Sequence, residues 1–104
     1  MNLRLDKLKE MERQKPDDAF IKFAIAQEHV GMDNDAEALK YFTAVLQNHP
    51  QYVPVYYQLG KLHERLNQLP QAIDIYSKGI IVARTANDLK TAGELNEALM
   101  LLEE

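Results

Sequence analysis

Residues 19–52, AFIKFAIAQEHVGMDNDAEALKYFTAVLQNHPQY, and residues 53–86, VPVYYQLGKLHERLNQLPQAIDIYSKGIIVARTA, are two versions of one pattern laid end to end. At an interval of 34 residues His29 returns as His63 and Ala38 as Ala72, and just outside the first copy Pro16 returns as Pro50. Conservative matches fill the intervals: Ile25 with Leu59, Ala26 with Gly60, Leu39 with Ile73, and Phe42 with Tyr76. A fixed period of this size marks a stacked helix–turn–helix repeat. Such arrays present surfaces to partners and seldom carry chemistry.

Within each copy the apolar spacing is helical. Segment 36–48 carries Ala38, Leu39, Phe42, Val45 and Leu46 at i, i+3, i+4, i+7 spacing. Segment 17–31 opens on acidic capping candidates after Pro16 and closes on Gly31, read here as the helix stop. Residues 33–35 form a turn and a cap. Segments 53–66 and 70–86 repeat the pair, and Pro54 is tolerated because it falls in a first turn. No useful period-2 alternation appears, so strands are not expected.

These residues resemble the tetratricopeptide repeat (TPR) family. The second copy supplies Tyr56, Leu59, Gly60, His63, Ala72, Tyr76 and Gly79 at the family's positions, and the first supplies Ile25, Ala26, His29, Ala38, Phe42 and Pro50. Lys22 at the leading aromatic, Val45 at the late small position and Arg84 at the second copy's proline depart from the pattern. The resemblance implies an all-α fold, an α–α superhelix or TPR solenoid of about six antiparallel helices. Packing logic agrees: Ala26, Ala38, Gly60 and Ala72 let helices approach, while Phe42 and Tyr76 fill the space between units.

The register continues outward. Leu5, Leu8, Met11 and Pro16 fall 34 residues before Leu39, Phe42, Val45 and Pro50. Segment 1–16 therefore reads as a second-type helix without its first-type partner, with Arg4 in the slot of Ala38 and Ala72. Leu89, Ala92 and Gly93 follow Tyr56, Leu59 and Gly60 by 33 residues, so 87–104 reads as a lone first-type helix that caps the stack. The expected organisation is one TPR-like domain over 1–104: a half-repeat at 1–16, repeats at 19–52 and 53–86, and the capping helix. Helix 3–14 should pack on helix 18–30.

Composition narrows the function. The 104 residues, 46% hydrophobic, suit one compact domain. A formal charge of −4 gives no global positive field for nucleic acid or an anionic membrane. With no cysteine there is no disulfide and no thiol chemistry, and the N-terminal stretch lacks the apolar core of a signal peptide, so a cytoplasmic protein is expected. His29 and His63 suggest metal ligands, but two ligands without a supporting carboxylate make no site, and both occupy a slot where the family packs tyrosine. Asp17, Asp18, Asp33 and Asp35 sit at helix starts and read as caps rather than as catalytic acids. Phosphate loops and nucleophile elbows are absent, and Ser77 is the sole serine, so no enzyme activity and no cofactor are expected.

Carried over from the family, the concave groove would be formed by first-type helices. The partner-binding residues expected there are Phe20, Phe23 and Gln27 from the first repeat and Tyr57, Lys61 and Arg65 from the second. The face joins an apolar-aromatic half to a mixed-charge half, suited to an extended or helical peptide. Lys61 and Arg65, at i, i+4, could meet an acidic group. The basic clamp with which some family members hold chaperone C-termini has Phe23, Gln27 and Gln58 at its positions and no basic pair at 88 and 92, so that clamp is absent. The function expected is a protein–protein adaptor. Its alternative is a homodimer through the terminal helices, because Met100 and Leu101 lie off the Leu95, Ala98, Leu99, Leu102 stripe.

Overall fold

The computed structural model describes residues 2–103. Among them are six helices and no strand: α1 Leu3–Gln14, α2 Ala19–Gly31, α3 Asp35–Asn48, α4 Pro54–Arg65, α5 Leu69–Thr85 and α6 Leu89–Leu102. Met1 and Glu104, which end the two outermost expected segments, lie outside the described residues. The helices gather into two compact units, Met1–His49 and Pro50–Glu104.

In the first unit α2 packs against both α1 and α3. The expected contact between helix 3–14 and helix 18–30 is therefore present. Leu8, Ile21, Ala24 and Ile25 form its apolar cluster, flanked by Leu5 and Tyr41. Polar links tie the same helices. Arg4 Nε meets Glu28 Oε2 at 3.0 Å, so the residue in the alanine slot reaches across to α2. Lys22 Nζ lies 2.9 Å from Glu12 Oε2 and 5.7 Å from the Tyr41 ring centroid. The Tyr41 hydroxyl donates to Glu12 Oε1 at 3.3 Å. Lys22, a departure from the family's aromatic, thus joins a half-buried cluster across α1, α2 and α3.

In the second unit α5 packs against α4 and α6. Two glycines set the α4–α5 spacing reciprocally. A Cβ on Gly60 would stand 2.7 Å from Tyr76 Cδ1 and Cζ, and one on Gly79 would stand 2.5 Å from Tyr56 Cβ. Each helix thus presents a ring to the other's glycine. The first unit has no ring at position 22, so Val45 in the Gly79 slot meets no such demand.

Three helix ends share one device. Asp33, Asn67 and Asn87 take left-handed backbone, with φ of 56°, 59° and 59°. The next amide closes a six-residue loop at 2.8 Å in each: Asn34 to the His29 carbonyl, Gln68 to His63 and Asp88 to Ala83. The amides of Asp33, Asn67 and Asn87 close the inner loop onto Val30, Glu64 and Arg84 at 2.9–3.1 Å. This is the Schellman arrangement, filled by Asp and Asn because their short polar side chains tolerate left-handed backbone. Gly31, read from sequence as the stop, is the last helical residue, and the left-handed turn falls two residues later. Replacing Asn67 with valine should cost roughly 1–2 kcal/mol, whereas glycine should stay within a few tenths. Urea midpoints of the two variants measure the difference.

The acidic capping set is also redistributed. Asp18 Oδ1 accepts from the Ile21 amide at 3.0 Å, and Asp35 stands in the first turn of α3. Asp33 belongs to the preceding helix end, and the Asp17 carbonyl lies 2.9 Å from His49 Nε2. The cap of α6 is Asp88, which accepts from Thr91 N at 3.1 Å and Thr91 Oγ1 at 2.8 Å. Those bonds favour the charged carboxylate and hold its pKa below the ordinary value.

Candidate partner-binding site

The expected groove residues have unequal surroundings. In the first unit Phe20 is 60% exposed beside a hollow lined by Met11, Gln14, Lys15, Asp18 and Ile21. Phe23, one turn on, is buried, its ring centroid 5.7 Å from that of Phe42. Gln27 is exposed on the same helix. Phe23 therefore supports the first unit from inside, and Phe20 and Gln27 are the members that meet solvent.

The second unit brings Tyr57 and Lys61 together in a cleft of about 420 Å³. Its other walls come from α6: Glu94, Glu97, Ala98 and Leu101. Lys61 Nζ lies 5.4 Å from the Tyr57 ring centroid and 3.7 Å from Glu64 Oε2. The Tyr57 ring in turn leans on the buried Tyr76 ring, with centroids 6.4 Å apart. Tyr76 donates its hydroxyl to Glu64. The chain Tyr76–Glu64–Lys61–Tyr57 thus fixes the cleft's cationic wall from the core outward. Arg65 is exposed one turn beyond Lys61, outside the cleft lining.

Glu94 and Glu97 are not among the expected groove residues, but the sequence carries a faint signal for them. The 33-residue offset that aligns Gly60 with Gly93 also aligns Lys61 with Glu94 and Glu64 with Glu97. The cleft therefore has one cationic-aromatic wall and one acidic wall, with Ala98 and Leu101 supplying apolar surface.

The histidines occupy packing positions. His29 is 6% exposed and stacks on Tyr41, with centroids 6.0 Å apart. Asn34 Nδ2 lies 3.5 Å from its Nδ1. The next unit repeats the motif, with His63 Nδ1 donating to Gln68 Oε1 at 2.8 Å. Each ring thus joins the side chain five residues on, across the turn that its own carbonyl closes. Among the described residues, no group of three or more His, Asp or Glu could hold a metal ion. No helix there is long and apolar enough to cross a membrane.

A tetratricopeptide repeat family profile matches residues 31–92, more than half of the chain. The chain belongs to the tetratricopeptide repeat family. Among solved structures, this TPR chain is 44% identical to a tetratricopeptide repeat domain protein of Salinibacter ruber. The crystal structure of that protein superposes with a TM-score of 0.79, over 83% of this chain and 96% of the other. Its solution structure gives 0.81 over 85% and 89%. A Bordetella parapertussis protein, 22% identical, shares the fold with a TM-score of 0.84 over 99% of this chain and 90% of its own. No curated protein matches significantly. The expected all-α TPR fold is thus the fold observed. That fold is generally a protein-interaction module, typically a non-enzymatic scaffold.

Proposed function

We propose that this TPR chain is an adaptor that holds a segment of a partner protein in the cleft between α4 and α6. The observation that carries the reading is the cleft's composition: Tyr57 and Lys61 on one wall, Glu94, Glu97 and Leu101 on the other. An aromatic ring and a leucine accept an apolar anchor, and the two carboxylates accept a neighbouring lysine or arginine. Lys61, with Arg65 beyond it, can take a carboxylate farther along the same segment. The preferred ligand is therefore a short peptide with an apolar residue beside a basic one and an acidic group farther along, held by Lys61 and Arg65.

Selection from a random peptide library tests this. The wild-type chain should enrich an apolar-basic pair, and Glu94→Lys with Glu97→Lys should erase the basic preference. Tyr57→Ala with Lys61→Glu should weaken binding of the selected peptide at least about tenfold while leaving helical content unchanged. Equal binding by all variants would remove the cleft from the reading.

A second reading, self-association through the terminal helices, is favoured by one observation. Met100 and Leu101 on α6 are 57% and 62% exposed. Charge reversal at Lys61 and Arg65 separates the readings, because it should weaken a cleft ligand and spare a dimer built on α6.

A further inference from the structure

We infer that Glu64 keeps the α4–α6 cleft open, by holding Lys61 on its own wall so that Glu94 and Glu97 remain available to a cation from outside. The inference rests on the adaptor reading and names what sets the charge preference of that site. Short turns, Leu66–Gln68 and Ala86–Asp88, join α5 to its two neighbours, so both run antiparallel to it and α4 runs parallel to α6. The 33-residue offset then sets Lys61 level with Glu94, and Glu64 level with Glu97. Helices α4 and α6 also touch directly. A lysine and a glutamate at one level on touching helices are long enough to meet. That ion pair would bridge the cleft and close it.

Lys61 instead stays with α4. Its Nζ lies 3.7 Å from Glu64 Oε2 and 5.4 Å from the Tyr57 ring centroid. Glu64 prevails because it is already ordered. Its carboxylate accepts the hydroxyl of Tyr76, whose ring is fully buried, so the pair with Lys61 immobilises one flexible side chain and not two. Glu94 and Glu97 are exposed, and among the described residues no ion pair engages either of them. With Lys61 offset by Glu64, the two carboxylates of α6 stand uncompensated in the cleft. They favour a guanidinium or ammonium group brought by the ligand. Lys61, held by one contact, keeps N–H donors for the ligand's acidic group. Glu64 does not itself line the cleft. It is a positioning residue that acts through Lys61.

Zero-length carbodiimide cross-linking of the ligand-free chain, read by mass spectrometry, tests where Lys61 is held. In the wild type Lys61 should join mainly Glu64. In Glu64→Gln, whose amide oxygen still accepts from Tyr76, the product of Lys61 with Glu94 or Glu97 should rise about two- to fivefold, the range open to a surface ion pair. Tyr76→Phe loosens Glu64 and leaves its charge in place, so it should give an intermediate yield. Binding of the capped peptide acetyl-Leu-Arg-Leu-amide, followed by NMR shifts, adds a second arm. Glu64→Gln should weaken it about two- to fivefold. Lys61→Gln should then strengthen it more in the Glu64→Gln background than in the wild type, whereas removal of charge alone would give the same gain in both. An unchanged yield with Glu94 and Glu97 in Glu64→Gln, or equal gains in the two backgrounds, would overturn the role of Glu64. A peptide that binds no variant would remove the adaptor reading, and the cross-links would still decide the position of Lys61.

Discussion

Gly79→Ala is expected to cost roughly 3 kcal/mol, a fall of about 12–24 °C in thermal midpoint for a domain of this size. The new methyl would lie 2.5 Å from Tyr56 Cβ, 2.9 Å from its Cγ and 3.0 Å from Leu95 Cδ1. Tyr56 Cβ is fixed to the α4 backbone, so no rotamer change relieves the clash. Helices α4 and α5 must separate, loosening the fully buried Tyr76, Leu59 and Leu95. The gain in helix propensity, up to about 1 kcal/mol, offsets part of the cost. Gly31→Ala and Gly93→Ala are the controls, since nothing lies within 4 Å of either new Cβ. Both should be neutral to stabilising by the same propensity argument. Gly60→Ala should be milder than Gly79→Ala, because its clash is with a ring. Ala26 and Phe42 fill the equivalent slots in the first unit with complete burial, so a phenyl ring can share this space with a methyl. Tyr76 is less able to move because its hydroxyl is held by Glu64. Adding Tyr76→Phe should therefore reduce the cost of Gly60→Ala. A Gly79→Ala midpoint equal to that of Gly93→Ala would refute the close-approach account.

That contrast shows why parts of this fold were legible in the sequence. The 34-residue echo reports side chains that pack identically in successive repeats, so the helix order, Gly60, Ala72 and Tyr76 could be placed from spacing alone. The His29 and His63 echo has the same origin, and each ring closes a turn with the amide side chain five residues later. Features that bind unlike residues leave no echo. Lys22 and Glu12 meet through contacts across α1 and α2, which neither residue's own neighbourhood announces. The left-handed Asp33 is obscured because Gly31 is the more familiar stop signal, whereas Asn67 and Asn87 reach the same backbone at modest cost with no glycine to mark the turn. In the cleft, Tyr57 and Lys61 followed from family positions. Glu94 and Glu97 were hidden by the fading of the period to 33 in α6, where few identities remain to anchor it.

Alkaline pH should unfold the domain through its tyrosines, most sharply through Tyr76. Burial is the main cause that raises its pKa far above the ordinary tyrosine value, followed by the hydrogen bond to Glu64 and that carboxylate's charge. Burial also raises Tyr41, with Glu12 adding to the effect, and raises Tyr56, whose hydroxyl donates to the Pro50 carbonyl. In each case the fold keeps a proton that the unfolded chain releases near pH 10. Their contribution to stability is thus complete below about pH 10 and declines as pH rises above it. Each tyrosine still protonated in the fold then costs about 1.4 kcal/mol per pH unit. By pH 12 Tyr76 alone would remove roughly 3 kcal/mol, a large share of a typical 5–15 kcal/mol margin. Helical circular dichroism followed with tyrosinate absorbance should therefore show late ionisation coincident with unfolding. Tyr76→Phe keeps the ring and removes the proton, so its stability should fall less steeply above pH 10. The variant should also lose a hydrogen bond that Glu64 accepts, making it less stable than wild type at neutral pH and relatively more resistant to alkali. Parallel alkaline curves for the two proteins would show that Tyr76 does not control the transition.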